Sequence, residues 1–136
     1  MLEPRKMPRV QEVVIPYLRA NMPGVFVGSW VPDVDHRDYP YVNIRRLGGI
    51  SFRPETLDKP VIELTAYTRT GLEETEDLYL DARALIFRMV DRQIVTPAGY
   101  LHSFFETFGP YQFDSPFDDT WRIQGLIQLG LRPPRI

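Results

Sequence analysis

Three groupings of side chains in this sequence have residue types and spacings that invite chemistry. The first is Asp33, Asp35, His36 and Asp38, which packs the oxygen and imidazole ligands of a divalent cation into one short stretch. It lacks the glycine and the terminal bidentate glutamate of a calcium loop, and Asp and His are common in turns because they bond their own backbone. It therefore reads as a solvated turn, and no metal is assigned to it. The second is His102 beside Ser103, with Glu106 further along. A hydroxyl nucleophile needs an imidazole base within hydrogen-bond reach and a third group to orient that base. Neighbours on an alternating strand point to opposite faces, so His102 and Ser103 are expected to point apart. The third is Asp114, Asp118 and Asp119 with Glu106, a possible source of paired carboxylates for acid-base work. Set among Pro, Phe and Ser, they read as an acidic loop. Neither Gly48-Gly49 nor Gly71 belongs to a phosphate-cradling pattern, since GxGxxG and GxxxxGK[ST] are both absent. No catalytic residue and no cofactor is expected.

Composition narrows the classes further. At 136 residues the chain is long enough to bury a core without disulfides, and it has no cysteine, which removes thiol catalysis, thiolate zinc sites and iron-sulfur clusters together. A net charge of -2 lacks the basic footprint of a DNA-binding domain. No apolar run approaches the roughly 20 residues of a membrane span, and the opening MLEPRKMPRVQEVV has no apolar signal segment. The expectation is a soluble protein, made without a signal, with no membrane partner.

These residues must be placed by elements, and the periodicities give most of them. Val10, Val13, Val14, Tyr17 and Leu18 recur at helical spacing, with Pro16 expected to bend or split the helix and Met22-Pro23-Gly24 to end it. VFVGSWV (25–31) and YVNIRRL (41–47) read as a hairpin with an extended loop, Gly48-Gly49 as the end of its second strand, and 50–59 as a polar loop. In VIELTAY (61–67), Ile62, Leu64 and Ala66 share the face expected to meet the core. Thr70 and Glu73 are spaced as a capping box, opening a long helix that runs to Thr96-Pro97, roughly 33 Å. Its stripe is Leu78, Ala82, Leu85, Ile86, Met89 and Val90. Residues 100–113 suggest a strand, a break at Gly109-Pro110 and an irregular segment, whereas Trp121 to Leu131 alternates cleanly as a half-buried strand. The order predicts an α+β fold, a mainly antiparallel sheet of four to five strands packed against a long helix and a shorter N-terminal helix. One domain spans 1–136, with a flexible segment at 1–7 and an extended RPPRI arm at 132–136.

More aromatic side chains occur than one sheet-and-helix core absorbs, and Leu126 falls on the otherwise polar face of the last strand. Part of this surface is expected to meet other protein. The candidate contacts are Trp30, Arg45, Arg46, Phe52, Arg53, Phe104, Phe105, Phe108, Tyr111, Phe113, Phe117 and Leu126. The competing reading folds the segment 98–119 back as a second small cluster. Arg45 and Arg46 are left between two roles, pairing with a neighbour's acidic loop or staying solvated.

The helix ending near Pro23, the strands VFVGSWV and YVNIRRL, DKPVIELTAYT at 58–68, the long helix bearing Ala82 and Ala84, and the late strand opening at Trp121-Arg122 follow one another in a distinctive order. In that order and in its element lengths the chain resembles the tail-terminator (tail-completion) proteins of long-tailed bacteriophages over nearly its whole length. The resemblance implies a structural subunit without an active site. Such subunits assemble into a ring, usually a hexamer, that caps the last tail-tube ring and presents a surface to the head-side connector. It implies as partners other copies of the chain, the tail-tube protein, the connector and DNA in transit, in a virion neck assembled in the host cytoplasm. Pro16, the aromatic segment 98–119 and the RPPRI arm depart from the pattern. Two other readings remain: a different neck or minor tail component of similar fold, and a small metal-dependent α+β enzyme using the Asp33, Asp35, His36 and Asp38 loop.

Overall fold

The computed structural model describes residues 6–29 and 38–134, apart from the side chain of Phe52. Along the chain these form α1 (Val10–Asn21), β1 (Phe26–Gly28), β2 (Tyr41–Arg53), β3 (Leu57–Thr68), α2 (Leu72–Asp91), β4 (Tyr100–Phe113) and β5 (Trp121–Arg132). The fold is α+β, as the element order predicts. One five-stranded sheet, in the order β1-β2-β3-β5-β4, carries both helices on one face, α1 over β1 and β2 and α2 over β3, β5 and β4. The other face is here called the open face.

The helix-covered face is apolar because the strands put their alternate residues there. Val42, Ala66 and Ile123 align across β2, β3 and β5, and Ile62 aligns with Ile127. All five are buried, and they pack with Val10, Val13, Val14 and Leu18 of α1 and Leu78, Ala82, Ile86 and Met89 of α2. The face choice expected for Ile62, Leu64 and Ala66 and the alternation of the last strand are both present. Helix α1 continues through Pro16 as one element. That proline is exposed, so the carbonyl one turn back that loses its N–H partner can bond water.

Five local expectations need correction. The strands of the expected hairpin run parallel, Phe26 beside Tyr41 and Gly28 beside Asn43. The hairpin partner of β2 is β3, which takes one of its edges, and the connection 29–40 is long enough to bring the chain back and leave β1 on the other. Gly48-Gly49 does not end β2, and 50–59 is no loop. The pairing continues to Arg53 opposite Leu57, with a register shift at the glycines. Both have positive φ, and a Cβ on Gly49 would lie 2.7 Å from Pro60 Cα, so the bulge needs residues without side chains. The start of α2 is displaced by one residue from the expected Thr70 cap. Gly71 is the N-cap, Glu74 lies back against it, and the Thr75 hydroxyl donates to Gly71 O at 2.6 Å while meeting Thr68 Oγ1 at 2.7 Å. The helix also stops sooner, at Asp91, giving 20 residues and a length of about 30 Å. Residues 100–113 form one strand of 14 residues, not a strand and a break. Gly109-Pro110 is accommodated inside it because β4 is an edge strand, where register shifts and a proline are tolerated.

Candidate functional site

The register shifts in β4 decide which side chains reach the open face. From Tyr100 to Phe113 the strand gains an extra residue between Leu101 and Ser103, between Glu106 and Phe108, and between Phe108 and Tyr111. Each shift resets the alternation. As a result Phe105 stands opposite Gln128, Phe108 opposite Leu126, Tyr111 opposite Gln124 and Phe113 opposite Arg122, all on the open face. A strand without bulges would have sent Phe108 to the other side. The rings form a ridge, with centroids 5.4 Å apart between Phe108 and Tyr111 and 4.8 Å between Tyr111 and Phe113. Phe105 is 64% exposed, Phe108 46% and Tyr111 52%, so the ridge is presented to solvent rather than folded into a second core.

Beside the ridge lies a polar floor. Asn43, Thr65 and Gln124 align across β2, β3 and β5, next to the row Arg45, Glu63 and Leu126. Arg45 donates to Glu63 at 3.0 Å, and Thr65 Oγ1 lies 3.4 Å from both Glu63 Oε1 and Gln124 Oε1. Arg122 donates to Gln124 Oε1 and its guanidinium sits 5.2 Å over the Phe113 ring, tying the floor to the end of the ridge. Phe117, from the turn before β5, packs on Tyr67 with centroids 5.7 Å apart. Burial raises the Tyr67 phenol, opposed by the positive charge of Arg122.

The remaining contact candidates divide. Leu126 is half-buried between Glu63 and Phe108 on the open face. Phe104 lies on the helix-covered face, edge-on to Phe87 at 5.5 Å and packed against the core. Arg46 also belongs to that face, where its fork grips Asp58 at 2.5 and 2.9 Å. Both Arg45 and Arg46 thus find carboxylates within their own chain. Arg53 is exposed at the tip of the β2–β3 hairpin. Trp30 and the Phe52 side chain lie outside the described residues.

So do Asp33, Asp35 and His36. Asp38 is described, and it lines a groove of about 650 Å³ with Tyr39, Arg69, Glu74, Asp77 and Asp81 at the start of α2. Among the described residues no three His, Asp or Glu side chains gather as a metal-binding group. Asp114, Asp118 and Asp119 sit around the turn before β5, whereas Glu106 faces α2. It accepts from Tyr79 Oη and from Arg83 Nη1, each at 2.9 Å. Burial first, then the Glu106 carboxylate, raises the Tyr79 phenol far above its ordinary 10.0, so it stays a donor. Glu106 therefore fastens the helix to the sheet.

The expectation for His102 and Ser103 is overturned. The first bulge of β4 falls between Leu101 and Ser103, and both side chains converge where Gly130 has none: a Cβ on that glycine would run into Ser103 Oγ and His102 Nδ1. Proximity has not produced a pair, because among the described residues His102 Nδ1 is buried without a hydrogen-bond partner. Burial lowers its pKa from the ordinary 6.5, and Arg132 and Lys59 lower it further. A folded pKa below the unfolded one means that the unfolded chain binds the proton more readily. The contribution to stability is then present above pH 6.5 and lost as pH falls below it toward the folded value. Urea midpoints measured from pH 7.5 down to pH 5, about one and a half units below that ordinary value, are expected to decline. His102→Gln should flatten the decline, and an equal slope in the variant would assign the effect to other groups.

Comparison with known proteins decides the class of the molecule. The family model for phage tail termination proteins matches residues 6–136. The chain belongs to that family. It is similar to the Gene 22 protein of Mycobacterium phage L5, with 52% identity over 134 residues covering 96% of both chains. It is also similar to the Gene 22 protein of Mycobacterium phage D29, at 50% identity over 133 residues, covering 95% of this chain and 96% of that protein. As a tail termination protein it is a structural component of the virion that completes the tail. The resemblance read from the order of its elements is thereby shown. For a structural component of this kind the exposed surface is the candidate functional site, and the ridge with its polar floor is its most distinctive part among the described residues. Sequence reading found the ridge by counting surplus aromatics, but it missed Asn43, Gln124 and Arg122, which carry no local signal beyond alternation.

Proposed function

We propose that this chain closes into a ring of identical copies, a hexamer, that terminates the tail tube and joins it to the head-side connector. The observation that carries the reading is the exposed ridge of Phe105, Phe108 and Tyr111 on the open face of a sheet whose other face carries both helices. Aromatic surface of this kind is typical of the centres of protein interfaces. A closed ring needs two different patches on each copy, and the ridge and the β2–β3 hairpin, with exposed Leu47 and Ile50, lie at separate parts of the fold. The hairpin and ridge contact neighbouring copies or the tail-tube protein, and the ring ends face tube and connector. A net charge of -2 suits a conduit, since a strongly basic lumen would hold passing DNA through counterion release. The ring belongs to the neck of the virion and is assembled in the host cytoplasm.

Native mass spectrometry of the purified chain, alone and with tail-tube protein, is expected to show a closed oligomer. A monomer under both conditions would count decisively against a ring. In phage lacking the chain, tubes are expected to overgrow. Tails of normal length without heads would instead mark a connector-side component.

A further inference from the structure

The two sides of the subunit differ in charge as well as in shape. On α2 the buried stripe of Leu78, Ala82, Ile86 and Met89 leaves Glu73, Asp77, Leu80, Ala84 and Phe87, at three-and-four spacing, on the side away from the sheet. Ala84 is exposed and Phe87 is 50% exposed, so an apolar strip crosses a helix face that is otherwise acidic, flanked by Glu74, Glu76 and Asp81. The arginines of α2 are engaged within the chain, Arg83 with Glu106 and Arg88 with Tyr17 and Asn21. The open face has the reverse balance. Asp58 and Glu106 are turned to the helix-covered side. Among the described residues Glu63 is then the one carboxylate that the strands put on the open face, beside Arg45, Lys59 and Arg122.

The open face is also shaped to hold a helix. The ridge rises over β4, and Ile50, 60% exposed, stands beside Lys59 on β2. Three strand spacings, about 14 Å, separate β4 from β2, which admits one helix of about 10–12 Å across. The ridge lies four spacings, about 19 Å, from β1, farther than the link from Ser29 to Asp38 can reach and return, since that link extends about 31 Å in all. A basic face with an aromatic wall calls for an acidic helix with an apolar strip, and α2 is such a helix. We propose that the open face of each copy receives the outer face of α2 from the next copy. Leu80, Ala84 and Phe87 meet the ridge, and the helix carboxylates meet Arg45, Lys59 and Arg122. The inference rests on the ring reading and names two unlike halves of its repeated contact. They lie on opposite sides of one subunit, so copies joined in this way follow head to tail, and a constant turn between them closes the series.

The test follows association of the full chain by native mass spectrometry over a concentration series. Ala84→Arg puts bulk and a positive charge in the middle of the helix strip and is expected to weaken association at least about 100-fold. Ala84→Glu, with the sign that the open face attracts, should lose at least about tenfold less. The deciding experiment mixes Ala84→Arg with the double change Phe105→Ser and Phe108→Ser, each unassociated by itself. Only the intact open face of the first and the intact α2 of the second can join, so pairs with one copy of each are expected and nothing larger. Thermal midpoints of the dissociated Ala84 variants should stay within a few degrees of wild type, since that position is exposed. Asp77→Arg, also at an exposed position, serves as the helix-face change if Ala84→Arg unfolds. Wild-type assembly of the helix-face variant, equal losses for Arg and Glu at position 84, or a mixture that stays unpaired overturns the proposal while leaving a wild-type ring standing. A wild-type chain that never associates removes the ring reading itself, and this contact with it.

Discussion

Replacing Gly125 by alanine is expected to destabilise the subunit by about 3 kcal/mol, the upper end of what overpacking a core costs. Gly125 lies on β5 under the Tyr79 side chain of α2, which is fully buried. A Cβ there would collide with the Tyr79 hydroxyl, approach its Cζ to 2.7 Å and come within 2.9 Å of the Phe108 carbonyl oxygen. Backbone blocks one escape, and the other is withdrawal of Tyr79 from Glu106. That withdrawal would leave the carboxylate to Arg83 alone and lift the middle of α2 from the sheet. Gly109 reinforces the constraint, since its own Cβ would fall 2.6 Å from Gly125 Cα. Urea denaturation gives the free energy, and the thermal midpoint should drop by on the order of 10–20 °C. In a Tyr79→Ala background the same Gly125→Ala change should cost much less, because the ring it strikes is gone. A loss under about 1 kcal/mol in the otherwise native chain would show that the helix is not seated on this glycine.

The second large effect is on assembly. If the ridge is the ring contact proposed above, changing Phe105 and Phe108 together to serine weakens association of the subunits at least about 100-fold, since two aromatic anchors of that contact are lost. The fold should respond far less, because both rings are exposed in the single subunit, Phe105 more than Phe108. Native mass spectrometry over a concentration series reads the first effect and the thermal midpoint the second. Phe104→Ser is the contrasting change, on the helix-covered face against Phe87 and the core. It should lower the midpoint by several degrees, as loss of buried aromatic area requires. A ring that survives the double serine variant would remove the ridge from the interface. The same variant in an infecting phage should let the tubes overgrow, as is expected of phage lacking the chain.

Much of the framework was legible in the sequence because periodicity is local. The spacing of Val10, Val13, Val14 and Leu18, and of Leu78, Ala82, Ile86 and Met89, decides a helix and its buried stripe wherever that helix docks. The alternation through Ile62, Leu64 and Ala66, and again from Ile123 to Leu131, likewise decides which side of each strand leaves water. The surplus of aromatics in residues 100–113 was countable without any structure.

Everything that depends on a partner strand escaped. The direction of β1 follows from which edge of β2 the hairpin with β3 leaves open. Gly48-Gly49 reads equally as a strand end or a bulge until Pro60 is placed against it. The extra residues in β4 exist only relative to β5, yet they bring Phe108 to the ridge and His102 and Ser103 together over Gly130. Side-chain spacing is set by bonds along one chain, whereas register and facing are set by hydrogen bonds between segments far apart in sequence. The sequence by itself therefore determined the class of fold and the sides to be buried, and the tertiary structure alone decided which aromatic and polar groups share the open face.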